Sequence, residues 1–375
     1  MKLRVERDVL ADSVAWAART LPSRPSLPVL AGLVLTAAGD GLTLSSFDYE
    51  VSGRVEIDAD VTAEGTSLVS GRLLADIARA LPPAPVVIES EGTRISITCG
   101  RSSFTLPTLP VEDYPQLPVM PTTSGSVSGS AFAAAVAQVA IAAGRDDTLP
   151  TLTGIRVEIE GANIVLAATD RYRLAVREFT WNPQSPSISA HALVPARTLA
   201  DTAKSLADVA EVVIALASGG TGEGLMGFEG HGRRTTTRLL DGEFPKYRSL
   251  LPTESSAVAT VETSVLTDAV KRVALVAERN TPVRLAFEGS ELTLRAGAGD
   301  DAQAVEVLES SLDGDAIDIA FNPAYLLDGL SAVGAGVTRF SFTQPTRPAV
   351  LTGLDDSQNV IDDYRYLLMP VRLTG

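Results

Sequence analysis

The sequence predicts an α+β protein in which one kind of domain, two helices with antiparallel sheets, occurs three times. Three observations predict it. Strand-then-helix openings recur from Leu3 ("LRVERDVLADSVAWAARTL"), Ser126 ("SVSGSAFAAAVAQVAIAAG") and Ala259 ("ATVETSVLTDAVKRVALVA"), with Val5, Val127 and Val261 in register and Val14, Val136 and Val270 likewise. Each opening is followed by two alternating runs joined by a Gly-containing turn, the mark of a hairpin. A second helical stretch then closes the pattern each time.

Taken in order, the first repeat has a helix over 7–20, the hairpin "PVLAGLVLTAAGDGLTLSSFD" and a helix over 71–81. The second has a helix over 130–145, the hairpin "PTLTGIRVEIEGANIVLAATD" and a helix over 196–208. The third has a helix over 263–279, the hairpin "TPVRLAFEGSELTLRAGAGD" and a helix over 322–333. Related segments, "LPVEDYPQLP" (109–118) and "LDGEFPKYRSLLP" (240–252), end the first two repeats. The Pro/Ser/Thr-rich stretches "PVMPTTSGS" and "LPTESSA" then place the domains at 1–121, 122–254 and 255–375.

Composition narrows the function. A chain of 375 residues, 45% apolar and 21% charged, can bury sizeable cores. A net charge of -15 argues against a generally sticky nucleic-acid or membrane binder. The single cysteine, Cys99, has no internal partner, which suits a reducing compartment and a buried thiol. "MKLRVERDVL" lacks an apolar signal core, and no apolar run is long enough to span a bilayer, so the expected location is cytoplasmic, with no membrane partner.

Charge is unevenly spread. The six expected helices hold ten basic residues (Arg7, Arg19, Arg72, Arg79, Arg145, Arg197, Lys204, Lys271, Arg272, Arg279) against eight acidic ones (Asp8, Asp12, Asp76, Asp201, Asp208, Asp268, Glu278, Asp328). The whole chain holds 31 basic and 46 acidic residues. Lys and Arg are good helix formers on solvated faces, but so is Glu, and only Glu278 appears. The other reading is a helical face turned toward polyanion, since phosphate contacts position a protein without reading sequence.

No catalytic constellation is legible. There is no G-x-x-x-x-G-K-[ST] loop, and the Gly-rich "SGGTGEGLMGFEGHG" (218–232) reads as hairpin turns, because no strand-to-helix context surrounds it. His191 and His231 stand far apart without metal-ligand neighbours, so no metal and no cofactor are expected. A tripled chain without chemistry reads as a scaffold or binding device. Its end, "YRYLLMPVRLTG" (364–375), is unusually apolar for a terminus. It is either a buried last strand or part of a surface that something else touches.

Together with "SRPSLPVLAGLVL", "AATDRYRLAV" (167–176) and "LLDGEFPKYRSLLP", that end resembles one family across essentially the whole chain. The family is the bacterial DNA polymerase III beta subunit, the sliding clamp. The resemblance implies three DNA-clamp domains per chain and a head-to-tail homodimer, a ring of six domains with helices lining a hole around duplex DNA. It implies a non-enzymatic processivity factor that holds DNA without sequence preference. The implied partners are the replicative polymerase alpha subunit, a clamp loader, and repair and translesion polymerases.

Residue by residue, Arg24 matches a loop arginine that touches DNA in the family, and Arg72 a pore-side helix arginine. Arg197, Lys204, Lys271 and Arg272 join them from the helix charge pattern alone. Phe104 and Leu106 match edge-strand residues of the subunit interface, with Leu275 as the facing contact; ordinary core is the other reading of Leu106. Leu152, Thr169, Arg173, Leu174, Pro245, Leu250, Leu367, Met369, Pro370, Val371 and Arg372 match an apolar cleft that takes a Gln-started, Leu/Phe-ended peptide. Leu368 and Leu373 are expected in the core.

Three departures stand out. Arg171-Tyr172 occupies positions where the family often has Gly-His or Gly-Tyr, and the bulk should narrow that end of the cleft. Ser249 replaces a frequent arginine, and Thr374-Gly375 overhangs the usual end. The alternative function is therefore a paralogous or self-resistance clamp, a ring with an altered peptide or inhibitor cleft.

Overall fold

The computed structural model describes residues 1–217, 224–277, 281–297 and 302–372. Glu278, Arg279, Leu373, Thr374, Gly375 and residues 218–223 of the Gly-rich stretch lie outside the described residues.

All six helices form where the 3.6-residue apolar spacing places them. They are α1 (Arg7–Ala17), α2 (Gly71–Ala80), α3 (Gly129–Ala140), α4 (Ala196–Ser205), α5 (Thr263–Val273) and α6 (Pro323–Val333). Strands Lys2–Val5, Thr123–Val127 and Ala257–Glu262 lead into α1, α3 and α5, as the repeated openings require. The first helix of each repeat ends earlier than expected. After α1 and α5 the chain tightens into 3-10 turns at Ala18–Thr20 and Ala274–Val276, which satisfy the last carbonyls that an α-helix leaves open.

The repeated hairpins are present as well: Gly32–Ala38 with Gly41–Phe47, Gly154–Glu160 with Asn163–Thr169, and Val283–Glu288 with Glu291–Ala296. Each turns through two residues, the first a glycine with φ of +55°, +56° or +61°. A left-handed first position matches the twist of the flanking strands, and a Cβ would obstruct it. In the Gly-rich stretch, strands Leu225–Gly230 and Arg233–Arg238 form a hairpin through His231-Gly232, both at positive φ.

The described chain divides into two compact units that cut across the repeats. The first comprises Met1–Ser130, Asn182–Ser185 and Asp201–Leu239; the second comprises Ala131–Trp181, Pro186–Ala200 and the chain from Leu240 onward. The first unit holds a 14-stranded sheet among the described residues. Strand Val51–Asp58 of the first repeat pairs there with Arg233–Arg238 of the second, Gly53 opposite Thr235. Its core gathers Leu10 and Val14 of α1 and Leu74 and Ile77 of α2 against Leu33, Leu35, Leu42, Leu44, Ile88 and Ile97. Cys99 is buried in this core with its thiol facing the carbonyls of Pro82 and Ala84.

The second unit holds a nine-stranded and a four-stranded sheet. The last described strand, Val360–Leu368, lies inside the nine-stranded sheet, between Arg173–Thr180 of the second repeat and Ala349–Leu354 of the third. The chain end is thus a buried strand as far as Leu368; Leu367 and Leu368 are 3% and 0% exposed. Helix α6 lies so close to this strand that a Cβ on Gly329 would meet the Tyr366 ring at 2.4 Å. Among the described residues no helix is long and apolar enough to cross a membrane.

Candidate functional site

The site grows from a four-residue turn, Asp170–Arg173, between strands Asn163–Thr169 and Arg173–Thr180. The Asp170 carboxylate accepts the amides of Tyr172 (3.0 Å) and Arg173 (3.1 Å), while Thr169 Oγ1 accepts that of Arg171 (3.2 Å) and donates to the Arg173 carbonyl (2.6 Å). Arg171 is held at φ +81°. The first repeat builds the same turn: Asp48 accepts the amides of Glu50 and Val51, and Tyr49 sits at φ +78°. The positive φ therefore belongs to the repeated turn, which explains why glycine suits position 171. Arg171→Gly is expected to keep or slightly raise the thermal midpoint. Arg171→Val, β-branched in a left-handed position, is expected to cost about 1–2 kcal/mol in a thermal or denaturant melt.

From the turn, backbone hydrogen bonds tie down the tail. Beyond Leu368 the sheet stops, since Pro370 cannot donate. The Met369 amide bonds the Tyr172 carbonyl at 2.9 Å, and the Val371 amide bonds the Ala320 carbonyl at 2.8 Å. Beneath, Leu174, Val176, Val350 and Leu367 pack with Tyr247, and Phe244 and Leu251 flank them. The Tyr247 hydroxyl donates to Glu158 at 3.1 Å, and Arg248 pairs with the same carboxylate at 2.6 Å, fixing the 3-10 segment Tyr247–Leu250.

The expected cleft residues fall into two sets. Tyr172 (54% exposed), Leu250 (50%), Met369 (39%) and Val371 (36%) offer apolar surface, with Arg171, Pro245 and Arg372 exposed and Pro370 half-buried. Leu152, Thr169, Arg173, Leu174 and Leu367 are instead buried and support this surface from behind. Leu152 packs inward from the 3-10 segment Pro150–Thr153, and on the paired strands the side chains of Thr169, Arg173, Leu174 and Leu367 point into packed layers.

Sequence reading missed Tyr325 and Asp328 of α6. Asn322 caps that helix, accepting the amides of Ala324 and Tyr325, and Pro323 takes its first position. The Tyr325 ring stacks on Tyr172 with centroids 6.2 Å apart. Buried Arg173 meets Asp170 at 2.9 Å and Asp328 at 2.5 Å, and lies over the Tyr325 ring at 4.3 Å. Burial opposes its charge, yet the Asp328 hydrogen bond and the surrounding acidic groups hold the guanidinium pKa above its ordinary value. The signal was the Asn-Pro cap, with Tyr and Asp three residues apart on one helical face.

The basic candidates are all exposed. Arg72 donates to the Pro22 carbonyl at 3.1 Å, beside the loop that carries Arg24. Arg24, Arg72, Arg197 and Lys204 have no ion pair among the described residues. Lys271 lies 3.5 Å from Asp268. Glu306 holds Arg272 with both oxygens, at 3.1 and 2.5 Å, which offsets part of its charge.

The interface candidates also separate. Leu275 is 84% and Phe104 36% exposed, but Leu106, at 3%, belongs to the core of the first unit. Phe104 shares its face of strand Ser102–Leu109 and lies nearer the turn, at the margin of the packed layer. This strand meets Gly65–Ser70 only through Thr108 and Leu109, leaving an open edge beside Ser103–Pro107 among the described residues. Strand Ala304–Glu309 likewise pairs on one side only, and turns Val305 (63%) and Val307 (55%) outward. The alternation in "AVEVLE" was the overlooked signal.

Three α+β repeats with helix pairs and shared antiparallel sheets define the DNA-clamp class. Residues 1–118, 126–246 and 248–372 match the N-terminal, central and C-terminal domain models of the DNA polymerase III beta subunit. The chain is 63% identical over 376 residues to a beta sliding clamp of Streptomyces coelicolor, with all of both chains covered. It is 49% identical over 373 residues to the beta sliding clamp homolog GriR of Streptomyces muensis, with 99% of each covered. Among solved structures it is similar to a DNA polymerase sliding clamp from Bacillus subtilis (TM-score 0.92, 26% identity, 100% and 99% covered). A DnaN sliding clamp from Pseudomonas aeruginosa bound to griselimycin gives TM-score 0.92 at 28% identity, with both chains fully covered.

The chain belongs to the DNA polymerase III beta subunit family. It is a sliding clamp, a processivity factor of DNA replication that catalyses no reaction.

Proposed function

We propose that two copies of this chain pair head to tail, with domains at 1–121, 122–254 and 255–375 in each, and close a cytoplasmic ring of six domains around duplex DNA. The open edge of Ser102–Leu109 with Phe104 in one copy meets Leu275 and the open edge of Ala304–Glu309 in the other. Pairing these edges removes two sites of uncontrolled strand addition. Arg24, Arg72, Arg197, Lys204 and Lys271 contribute mild, non-specific phosphate attraction on a chain that otherwise repels DNA. Retention is then topological rather than adhesive.

One observation carries the recruitment half of this reading: the tail beyond Leu368 is held in place by backbone bonds while Tyr172, Leu250, Met369 and Val371 stay exposed. Such a rigid apolar rim takes a short peptide ending in Leu/Phe anchors. The replicative polymerase alpha subunit, the clamp loader, and repair and translesion polymerases are its occupants. Arg171, exposed at the rim, supports a second reading in which the cleft refuses an inhibitor or some partners.

The test is loading onto a nicked circular plasmid by a clamp loader, followed by gel filtration. Retention on the circle and loss after a single linearising cut is the expected result. A protein that stays bound to the linear form, or is never retained, sinks the encircling mode.

A further inference from the structure

Arg173 is the only charged side chain of the described residues that is buried, 5% exposed. A buried guanidinium destabilises its surroundings unless partners compensate it, and each partner here also carries part of the exposed rim. Asp170 fixes the amides of Tyr172 and Arg173. Asp328 lies one turn along α6 from Tyr325, whose ring covers the guanidinium and stacks on Tyr172. The Tyr366 hydroxyl donates to the Tyr325 carbonyl at 2.8 Å, and the Tyr172 carbonyl holds the Met369 amide. Turn, helix and tail, from distant parts of the chain, thus converge on one cation.

We propose that Asp328 is a positioning residue for peptide binding: it holds the Arg173 guanidinium between the turn and α6, so that Tyr172, Tyr325 and Met369 present a preformed wall. This rests on the peptide-cleft reading above. Pre-organisation of this kind raises affinity by removing the ordering cost at the moment of binding. Asp328 separates binding from folding better than its counterpart. Its side chain is 45% exposed, whereas that of Asp170, at 13%, also caps the turn.

The experiment titrates a labelled peptide of Gln-Leu-x-Leu-Phe pattern against the full chain, Asp328→Asn and Asp328→Glu, with thermal unfolding alongside. Asp328→Asn is expected to bind about tenfold more weakly, through faster dissociation, while remaining folded at 25 °C. Asp328→Glu recovers most of the loss. In an Arg173→Met background, Asp328→Asn adds nothing, because the two act as one unit. Wild-type affinity in Asp328→Asn, or no recovery in Asp328→Glu, overturns the positioning role and leaves the cleft reading intact. Absence of binding by the unaltered chain overturns the cleft reading and this role with it.

Discussion

A chain ended after Leu368 loses peptide binding and keeps its fold. The intact protein is expected to bind the labelled Gln-Leu-x-Leu-Phe peptide with micromolar affinity, about −8 kcal/mol. Removing Met369 and all that follows takes away two exposed apolar side chains, those of Met369 and Val371. It also removes the amides that bond Tyr172 and Ala320. A loss of at least about thirtyfold is expected, since a few central anchors carry most of such an interface. The cut must not fall earlier, because Leu367 and Leu368 are core residues and their loss would report on folding instead. Fluorescence polarisation gives the affinity and circular dichroism the fold. Undiminished affinity in a folded truncated chain would place the peptide elsewhere.

The second large effect concerns ring closure. Leu275→Asp puts a charge on a side chain that is 84% exposed in the single chain, so the folded monomer is expected to tolerate it. Buried in a dimer contact, the same carboxylate is unpaired and desolvated, and dimer dissociation should rise about a hundredfold or more. Sedimentation velocity would show a monomer at micromolar concentration, and retention on circular DNA would vanish. Leu106→Ala is the contrasting variant. It opens a cavity in the core of the first unit and is expected to cost about 2–5 kcal/mol of stability. A Leu275→Asp protein that still sediments as a dimer would remove Leu275 from the interface.

Much of this architecture was legible because it repeats. Three openings, three Gly-led hairpins and three second helices each constrain the others, and local chemistry decides them: apolar spacing for the helices, a left-handed glycine for the turns. What sequence could not convey was long-range pairing. Nothing in "RRTTTR" says that it will join Val51–Asp58, nor that Arg272 will find Glu306 on a strand 34 residues away. The two readings of Leu106, core or interface, also stayed open in sequence, since Phe104 and Leu106 share a face and only the packed layer above it distinguishes them. The cleft was half legible. Its exposed anchors and Arg173 stood in sequence motifs, whereas the contact of Arg173 with Asp328 joins a turn to a helix 155 residues away. The strained positions Tyr49 and Arg171 carried no glycine to mark them.

The central place of strand Val360–Leu368 also governs how the protein is made. Val360–Leu368 is synthesised after both of its neighbours, yet the nine-stranded sheet needs it in the middle, with Arg173–Thr180 on one side and Ala349–Leu354 on the other. Until Val360–Leu368 is made, Arg173–Thr180 waits with one edge unpaired for the time taken to translate the third repeat, roughly ten seconds or more. The nine-stranded sheet therefore closes only once residues 360–368 are available. A nascent chain stalled before residue 360 should present that edge to chaperones, whereas one released whole should not.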